Sequence, residues 1–375
     1  HIRRALAKSS ISKYESMKNA VCADGRIRGV LQFYGANRTG RWAGRLVQVQ
    51  NLPHDVPVAM DTAIRLVKNG NAHGVKLMYG HISTSLSHLI RAAFVAPEGS
   101  LLCVSDFSAI EARVLSWLAD EKWRQDVFAK GGDIYCASAS SMFGVPVEKH
   151  GINGHLRQKG KVAELALGYQ GGPPALITMG ALKQGLTEDE LPDIVHRWRG
   201  ANPRICGLWY DVDGAALSVM SDACPVGLPH GILISRECNL LYGYDYLTIQ
   251  LPSGRKLYYP QPYINENQFG KPALHYRVQA GIKWSHTSTY GGKLVENITQ
   301  AIARDCLALA INRLVKAGYK PLMHIHDEVV LEVSKDKIHE DEIDRINQIM
   351  CAPIPWAPGL LLNADGFISP YYTKD

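Results

Sequence analysis

The stretch that most constrains this chain is Leu101–Arg113, LLCVSDFSAIEAR. Leu101-Leu102-Cys103-Val104 is an apolar run of strand length, and it ends on Asp106. Beyond it, Ser108 opens a pattern with Ile110, Val114, Leu115 and Leu118 at helical spacing, so a carboxylate sits where a buried strand hands over to a helix. An acid in that position has lost part of its water and needs a cation or a metal ion as partner. The alternative is that Asp106 merely caps the next helix, and Glu111 has a capping reading of its own, since Ser108-Ala109-Ile110-Glu111 spells a capping box.

The rest of the chain has to provide a core around that strand. With 375 residues, 46% hydrophobic and 20% charged, it is long enough for two or more subdomains. A net charge of +6 suits a polyanionic partner without requiring one. Eight cysteines without a C-x-x-C pair indicate neither a zinc ribbon nor a disulfide framework, and so a reducing compartment. No apolar run reaches the roughly 20 residues of a membrane span, and HIRRALAKSS has no hydrophobic signal core. The chain opens on His1 rather than Met, so a piece of something longer is expected.

Residues 2–20 carry a basic helical pattern, and turn signals around Arg26–Phe33 predict a strand pair. Asn37–Arg45 is an Arg- and Gly-rich loop with Trp42, running into Gln48-Val49-Gln50-Asn51. Its three Arg side chains, with the Gln and Asn amides, suit phosphates and groove edges, whereas the bland reading is a charged surface loop. Residues 55–80 give a helix and then a loop at 70–74, and Asp133–Phe143 gives a helix. Asp245–Pro260 is a hairpin candidate, with a polar loop after it, and Lys293–Lys316 is a long helix.

Two further stretches carry chemistry. In HLRQKGKVAELALGYQGG, Arg157, Lys161, Leu165 and Tyr169 recur every four residues. On a helix they form a stripe grading from cationic to apolar to aromatic, which fits a nucleoside triphosphate. An ordinary amphipathic helix with snorkelling Lys gives the same pattern. In LMHIHDEVVLEV, two β-type runs flank His326-Asp327-Glu328, which places the acids at a hairpin tip. If the strands carrying Asp106 and Asp327 are neighbours in one sheet, their carboxylates could hold two divalent ions ~3.5–4 Å apart, an arrangement suited to in-line displacement at phosphorus.

Taken together, these stretches resemble the family A DNA polymerases, and most closely their phage-type branch. SDFSAIEAR resembles the first palm motif of that family, RQKGKVAELALGYQGG its fingers helix and HIHDE its last palm motif, in the family's order. TGRWAGRLVQVQNLP resembles the primer-binding segment, and ENITQAIARD the helix before the last motif.

The resemblance implies an α+β fold, a right-hand palm with an antiparallel sheet and a helical fingers insertion, the thumb mostly absent. The implied division is 1–22 end of thumb, 23–122 first part of the palm, 123–239 fingers and 240–375 second part of the palm. It implies template-directed transfer of dNTPs to a primer 3′-OH. Asp106 and Asp327, with the Phe107 carbonyl, would hold two Mg²⁺ ions, with Mn²⁺ as a substitute. Arg157 and Lys161 would hold the triphosphate, Lys161 being a candidate to protonate pyrophosphate. Tyr169 would pack beside the templating position, and Glu111 would crowd the sugar 2′ position. Arg41, Gln300 and His326 would contact the primer terminus and minor groove, with Gln50, Asn51 and Arg113 also at the substrate. Glu328 would support the metal site without being indispensable.

The sequence departs from the family pattern at Leu165, where Phe or Tyr is usual, and at Tyr135, where His is common. The implied partners are primer–template DNA and dNTPs, with no membrane, for a monomer or one working with a processivity factor. The implied setting is the cytoplasm of a bacterial or phage-infected cell. The competing readings are a catalytically weak nucleic-acid-binding fragment, a single-subunit RNA polymerase-like enzyme, and a metallohydrolase built on His324-x-His326-Asp327.

Overall fold

A computed structural model describes residues 12–53, 55–239, 241, 243–281 and 283–374. The predicted basic helix at 2–20 is observed as Ser12–Ala20, and the part of it at 2–11 lies outside the described residues. The chain falls into two compact units. The first comprises His1–Ser108, Leu307–Ala352 and Asn363–Asp375, and the second Ala109–Cys306 and Pro353–Leu362.

The first unit is organised on a four-stranded sheet in the order Lys320–Ile325, Glu328–Ser334, Ser100–Phe107, Ala364–Ser369. Every neighbouring pair is antiparallel. Ser100–Phe107 is apolar on both faces because it lies inside the sheet, and Leu102, Cys103 and Val104 are all buried. One face packs in a cluster with Met17, Val47, Val49, Ile90 and Tyr372. Each such fully buried aliphatic side chain contributes about 1.5–3 kcal/mol. On Glu342–Cys351, Asn347 accepts a 2.5 Å hydrogen bond from Ser105.

The second unit is helical at first. Its helices include Ile110–Leu118, Ile134–Phe143, Arg157–Leu167, Leu191–Ala201 and Pro203–Asp222. Gly160 allows Arg157–Leu167 to pack tightly on Ile134–Phe143, because a Cβ there would collide with the Tyr135 carbonyl. At its centre the buried Arg124 pairs with Glu164 and bonds Ser116 and Asn202, while Ser138 and Trp198 donate to Glu164. The arrangement satisfies charges that would otherwise be prohibitively costly to bury. A four-stranded and a three-stranded antiparallel sheet follow. Mixed helices and antiparallel sheets make this an α+β chain, as expected. No helix among the described residues is long and apolar enough to cross a membrane.

Several local expectations need correction. The strand pair is Leu31–Ala36 with Arg41–Gly44 rather than one around Arg26–Phe33. The supposed loop at 37–45 is therefore largely its tight turn and return strand, since Gly40 (φ 76°) permits a reversal that composition alone suggested would stay open. The loop at 70–74 is shorter, because Asn71 caps a helix over Ala72–Tyr79 by accepting from the Gly74 N–H at 2.8 Å. The polar segment after Pro260 contains Tyr263–Glu266, an edge strand whose exposed residues conceal the strand pattern.

Candidate active site

Strand Ser100–Phe107 runs one residue beyond Asp106, and the neighbouring strand begins on Glu328, which lies directly opposite Asp106 in the register. Ile325 pairs with Glu328, so His326 and Asp327 alone form the turn, with His326 at φ 57°. The Phe107 N–H donates to the Asp327 carbonyl at 3.4 Å. The hairpin tip and the strand end are thereby brought together as the sequence suggested, and Glu328 is closer in register to Asp106 than its supporting role implied.

Glu328 is only 1% exposed. Burial raises its carboxyl above the usual range, against the lowering effects of Lys374 and Tyr372. Lys374 donates to Glu328 Oε2 at 2.7 Å and to Asp106 Oδ2 at 2.8 Å, and Tyr372 donates to Glu328 Oε1 at 2.7 Å. Although desolvation opposes it, the charges of Glu328 and Asp106 hold the Lys374 ammonium above its ordinary value. Arg91 donates to the Tyr372 hydroxyl at 2.7 Å and to the carbonyls of Leu52 and Pro53, each at 2.7 Å. It therefore ties the segment after Gln50-Asn51 to the floor of the carboxylate site. Asp106, Glu328, Asp365 and Lys374 line a cavity of about 200 Å³.

The donor set fits a divalent cation. Asp106 Oδ1 is buried with no hydrogen-bond partner, Asp106 and Glu328 supply hard oxygens, and a side-chain cation already bridges them. A zinc site fits less well. His324 is packed edge-on against Trp42 at 4.4 Å.

The proposed duplex-facing residues of the first unit also converge. Desolvation and the neighbouring Arg41 charge lower the His326 imidazole, and a hydrogen bond with the Gln50 backbone partly offsets them. Gln50 Oε1 is buried without a partner, and Asn51 donates to Gln48 at 3.3 Å.

In the second unit the stripe on the fingers-like helix is real but shorter than expected. Helix Arg157–Leu167 carries Arg157, Lys161 and Leu165, whereas Tyr169 lies in the turn beyond it. Gly168 keeps right-handed helical dihedrals, and the chain leaves helical geometry at Gln170, whose φ is 66°. Leu165 is exposed. Arg157 Nε bonds Asp133 at 2.7 Å, and Asp133 also caps its own helix through Tyr135 N and Cys136 N. The Tyr135 ring lies 5.3 Å from the Arg157 guanidinium and 5.9 Å from the Lys161 ammonium. The Tyr135 ring thus lies beside both cations, at one of the two positions where the sequence departs from the expected pattern.

Glu111 accepts from the Tyr169 hydroxyl at 3.0 Å. The capping box is not formed: Ala109, with φ 51°, is the cap and offers no side-chain bond, while Ser108 donates to Asp365 at 2.8 Å. Proximity to that carboxylate outcompetes the local capping geometry. Arg113 is buried, bonded to the Leu361 carbonyl at 3.0 Å with the Phe128 ring 4.3 Å away. Gln300, partly buried, donates to Glu296 at 3.4 Å.

A sequence profile for DNA polymerase family A matches residues 3–188. The DNA polymerase of Bacillus phage SP02 is 54% identical over 377 residues, covering 100% of this chain and 57% of that protein. The chain belongs to the family A DNA polymerases. It is also 24% identical to DNA polymerase I of Pseudomonas aeruginosa over 69% of this chain and 24% of that protein. The polymerase domain of Pol1 from M. smegmatis, solved with DNA primer–template and dNTP, shares the fold: TM-score 0.65, 19% identity, 97% of this chain and 51% of that one. The chain spans little more than half the length of its phage relative.

For this family A chain, sequence reasoning missed Lys374, Tyr372 and Arg91. Lys374 and Tyr372 lie outside every motif in a short polar stretch, and Arg91 sits in Ile90–Ala93 with no charge pattern around it. The one available signal was an Arg flanked by apolar residues, which burial makes costly unless it is fully bonded.

Proposed function

We propose that the chain carries out template-directed DNA synthesis, joining a dNTP to a primer 3′-OH. The observation that carries this reading is the register that sets Glu328 against Asp106, with Asp327 in the adjoining turn and the Lys374 ammonium between the carboxylates. Asp106 and Asp327, with the Phe107 carbonyl, would hold two Mg²⁺ ions, with Mn²⁺ as a substitute. Bound there, these ions would acidify the 3′-OH and neutralise the leaving pyrophosphate.

The 3′ oxygen, giving up its proton to solvent, would bond the α-phosphorus as the bond from that phosphorus to the bridging oxygen breaks. Lys161 would give its proton to the departing pyrophosphate, and Arg157 would hold the triphosphate with the guanidinium nitrogens that Asp133 leaves free. Lys374 would yield its place between the carboxylates to the incoming cation. Glu111, positioned by Tyr169, would crowd a ribose 2′-OH, and Leu165 would offer the base an aliphatic rather than aromatic surface. Arg41, Gln50, Asn51, Gln300 and His326 would contact the duplex, and Arg113 would position the helix bearing Glu111.

The same reading assigns 23–122 and 240–375 to the palm, 123–239 to the fingers and 1–22 to the end of the thumb. It takes primer–template DNA as the partner and a monomer, alone or with a processivity factor, in the cytoplasm of a bacterial or phage-infected cell as the working form.

The test is single-nucleotide extension of a labelled primer–template at low salt with Mg²⁺, comparing dNTPs with NTPs, and wild type with Asp327→Ala. Extension by the correct dNTP that the variant loses is the expected result. Preference for NTPs, or full activity in the variant, would overturn the assignment.

A further inference from the structure

The second unit carries a surface that the polymerase chemistry does not use. Strand Pro272–Ala280 is the centre of a three-stranded sheet, between Tyr263–Glu266 and Lys283–Ser288. Alternation along the strands divides the side chains between two faces. Leu274 and Tyr276 are buried, the latter edge-on to Tyr259 at 5.0 Å, so their side is core. The register places Tyr263, His275, Arg277, Gln279, Trp284 and His286 on the other face.

That face is built from aromatic and imidazole rings around one guanidinium. Tyr263 stacks on His275 at 5.2 Å and meets His286 edge-on at 5.6 Å. The Arg277 guanidinium lies 5.3 Å from the centre of the Trp284 ring, and Trp284 is 52% exposed. None of the six residues is acidic. Two polar atoms, His275 Nε2 and Arg277 Nε, are buried without a hydrogen-bond partner, although Arg277 donates through Nη1 to Gln261 at 3.0 Å.

We infer that this face binds single-stranded nucleic acid, with bases stacked on Trp284 and Tyr263 and phosphates taken by Arg277 and the two histidines. A docking site for a protein would need an apolar centre, and the six residues include no aliphatic side chain. Paired bases in a duplex hide their flat faces from one another's neighbours, whereas unpaired bases present them to rings. An open sheet face with aromatic residues interleaved with cations matches the second case.

The test measures anisotropy of a 5′-labelled twelve-residue oligo(dT) with the full chain at low salt in EDTA, so catalysis plays no part in the readout. Trp284→Ala is expected to weaken binding about tenfold, the loss of one stacked base. Trp284→Phe should remain within about threefold of wild type. Arg277→Gln should weaken binding and reduce the slope of log affinity against log salt by about one. All three should extend a primer whose template overhang is a single nucleotide as wild type does. Affinities equal to wild type in both Trp284→Ala and Arg277→Gln would overturn the inference. So would equal loss in Trp284→Ala and Trp284→Phe, and so would cross-links from a bromodeoxyuridine oligonucleotide confined to peptides outside 263–288.

Discussion

Tyr169 donates its hydroxyl hydrogen to Glu111 Oε2 at 3.0 Å, joining the turn after helix Arg157–Leu167 to the first turn of helix Ile110–Leu118. Burial first, and the Glu111 charge second, keep the tyrosine protonated far above its ordinary pKa, so the bond persists at any working pH. Tyr169→Phe removes the bond but keeps the ring. A hydrogen bond to a charged group is worth about 1.5–3 kcal/mol. The freed carboxylate should therefore discriminate less sharply between sugars. We expect a several-fold rise in ribonucleotide incorporation relative to dNTPs, smaller than for Glu111→Ala, measured as the ratio of kcat/KM values. An unchanged ratio in both variants would remove Glu111 from the sugar site.

Lys374 stands between Asp106 and Glu328, the place proposed above for a divalent cation. Lys374→Met leaves the buried Glu328 without its cation. Because Lys374 and Asp106 are partly exposed, the loss should be about 1–3 kcal/mol in metal-free buffer, below the full cost of breaking a buried pair. Added Mg²⁺ should raise the Tm of the variant more than that of wild type. Equal increments would show that metal and ammonium do not share a place.

The Arg124–Glu164 pair is a purely structural commitment. Glu164 also accepts from Ser138 at 2.6 Å and from Trp198 at 2.9 Å, so Arg124→Met strands a buried charge. The expected loss is about 3–5 kcal/mol by urea unfolding. A double variant with Glu164→Leu should recover much of it, since removing both charges avoids leaving either one unpaired.

Burial pushes the Cys103 thiol up to about 12, with the Glu342 charge adding to the effect. Its folded pKa lies above the unfolded one, so the thiol favours folding below pH 9, and that contribution is lost as pH rises from about 9 to 12. Native protein at pH 8 should therefore alkylate at the exposed Cys22, Cys224 and Cys238 long before Cys103. Mass spectrometry of tryptic peptides gives the order.

How much of this was legible in the sequence depended on whether the signal was local. The strand-to-helix handover at Asp106, the two-residue turn at His326-Asp327 and the helix bearing Arg157 and Lys161 all follow from periodicity within a dozen residues. The residues that complete the carboxylate site do not. Arg91, Tyr372 and Lys374 meet it only through tertiary packing, and nothing in their neighbours' spacing anticipates that. Ser108 shows the opposite failure. Its local motif indicated a cap, and a carboxylate from the distant Asp365 claimed the hydroxyl instead.

The register that sets Glu328 against Asp106 also constrains how this hairpin can change in length. Successive residues of a strand alternate between faces, so adding or deleting a single residue within Glu328–Ser334 reverses which face every residue on one side of the change presents, unless a bulge absorbs it. Glu328 would then leave the face of Asp106, and Val329, Val330, Leu331 and Val333, all buried, would each have to repack on the opposite face of the sheet. Two-residue changes preserve parity and one-residue changes do not. Across related chains, length variation in this hairpin should therefore come in even steps, a pattern that alignment of many sequences can reveal without any assay.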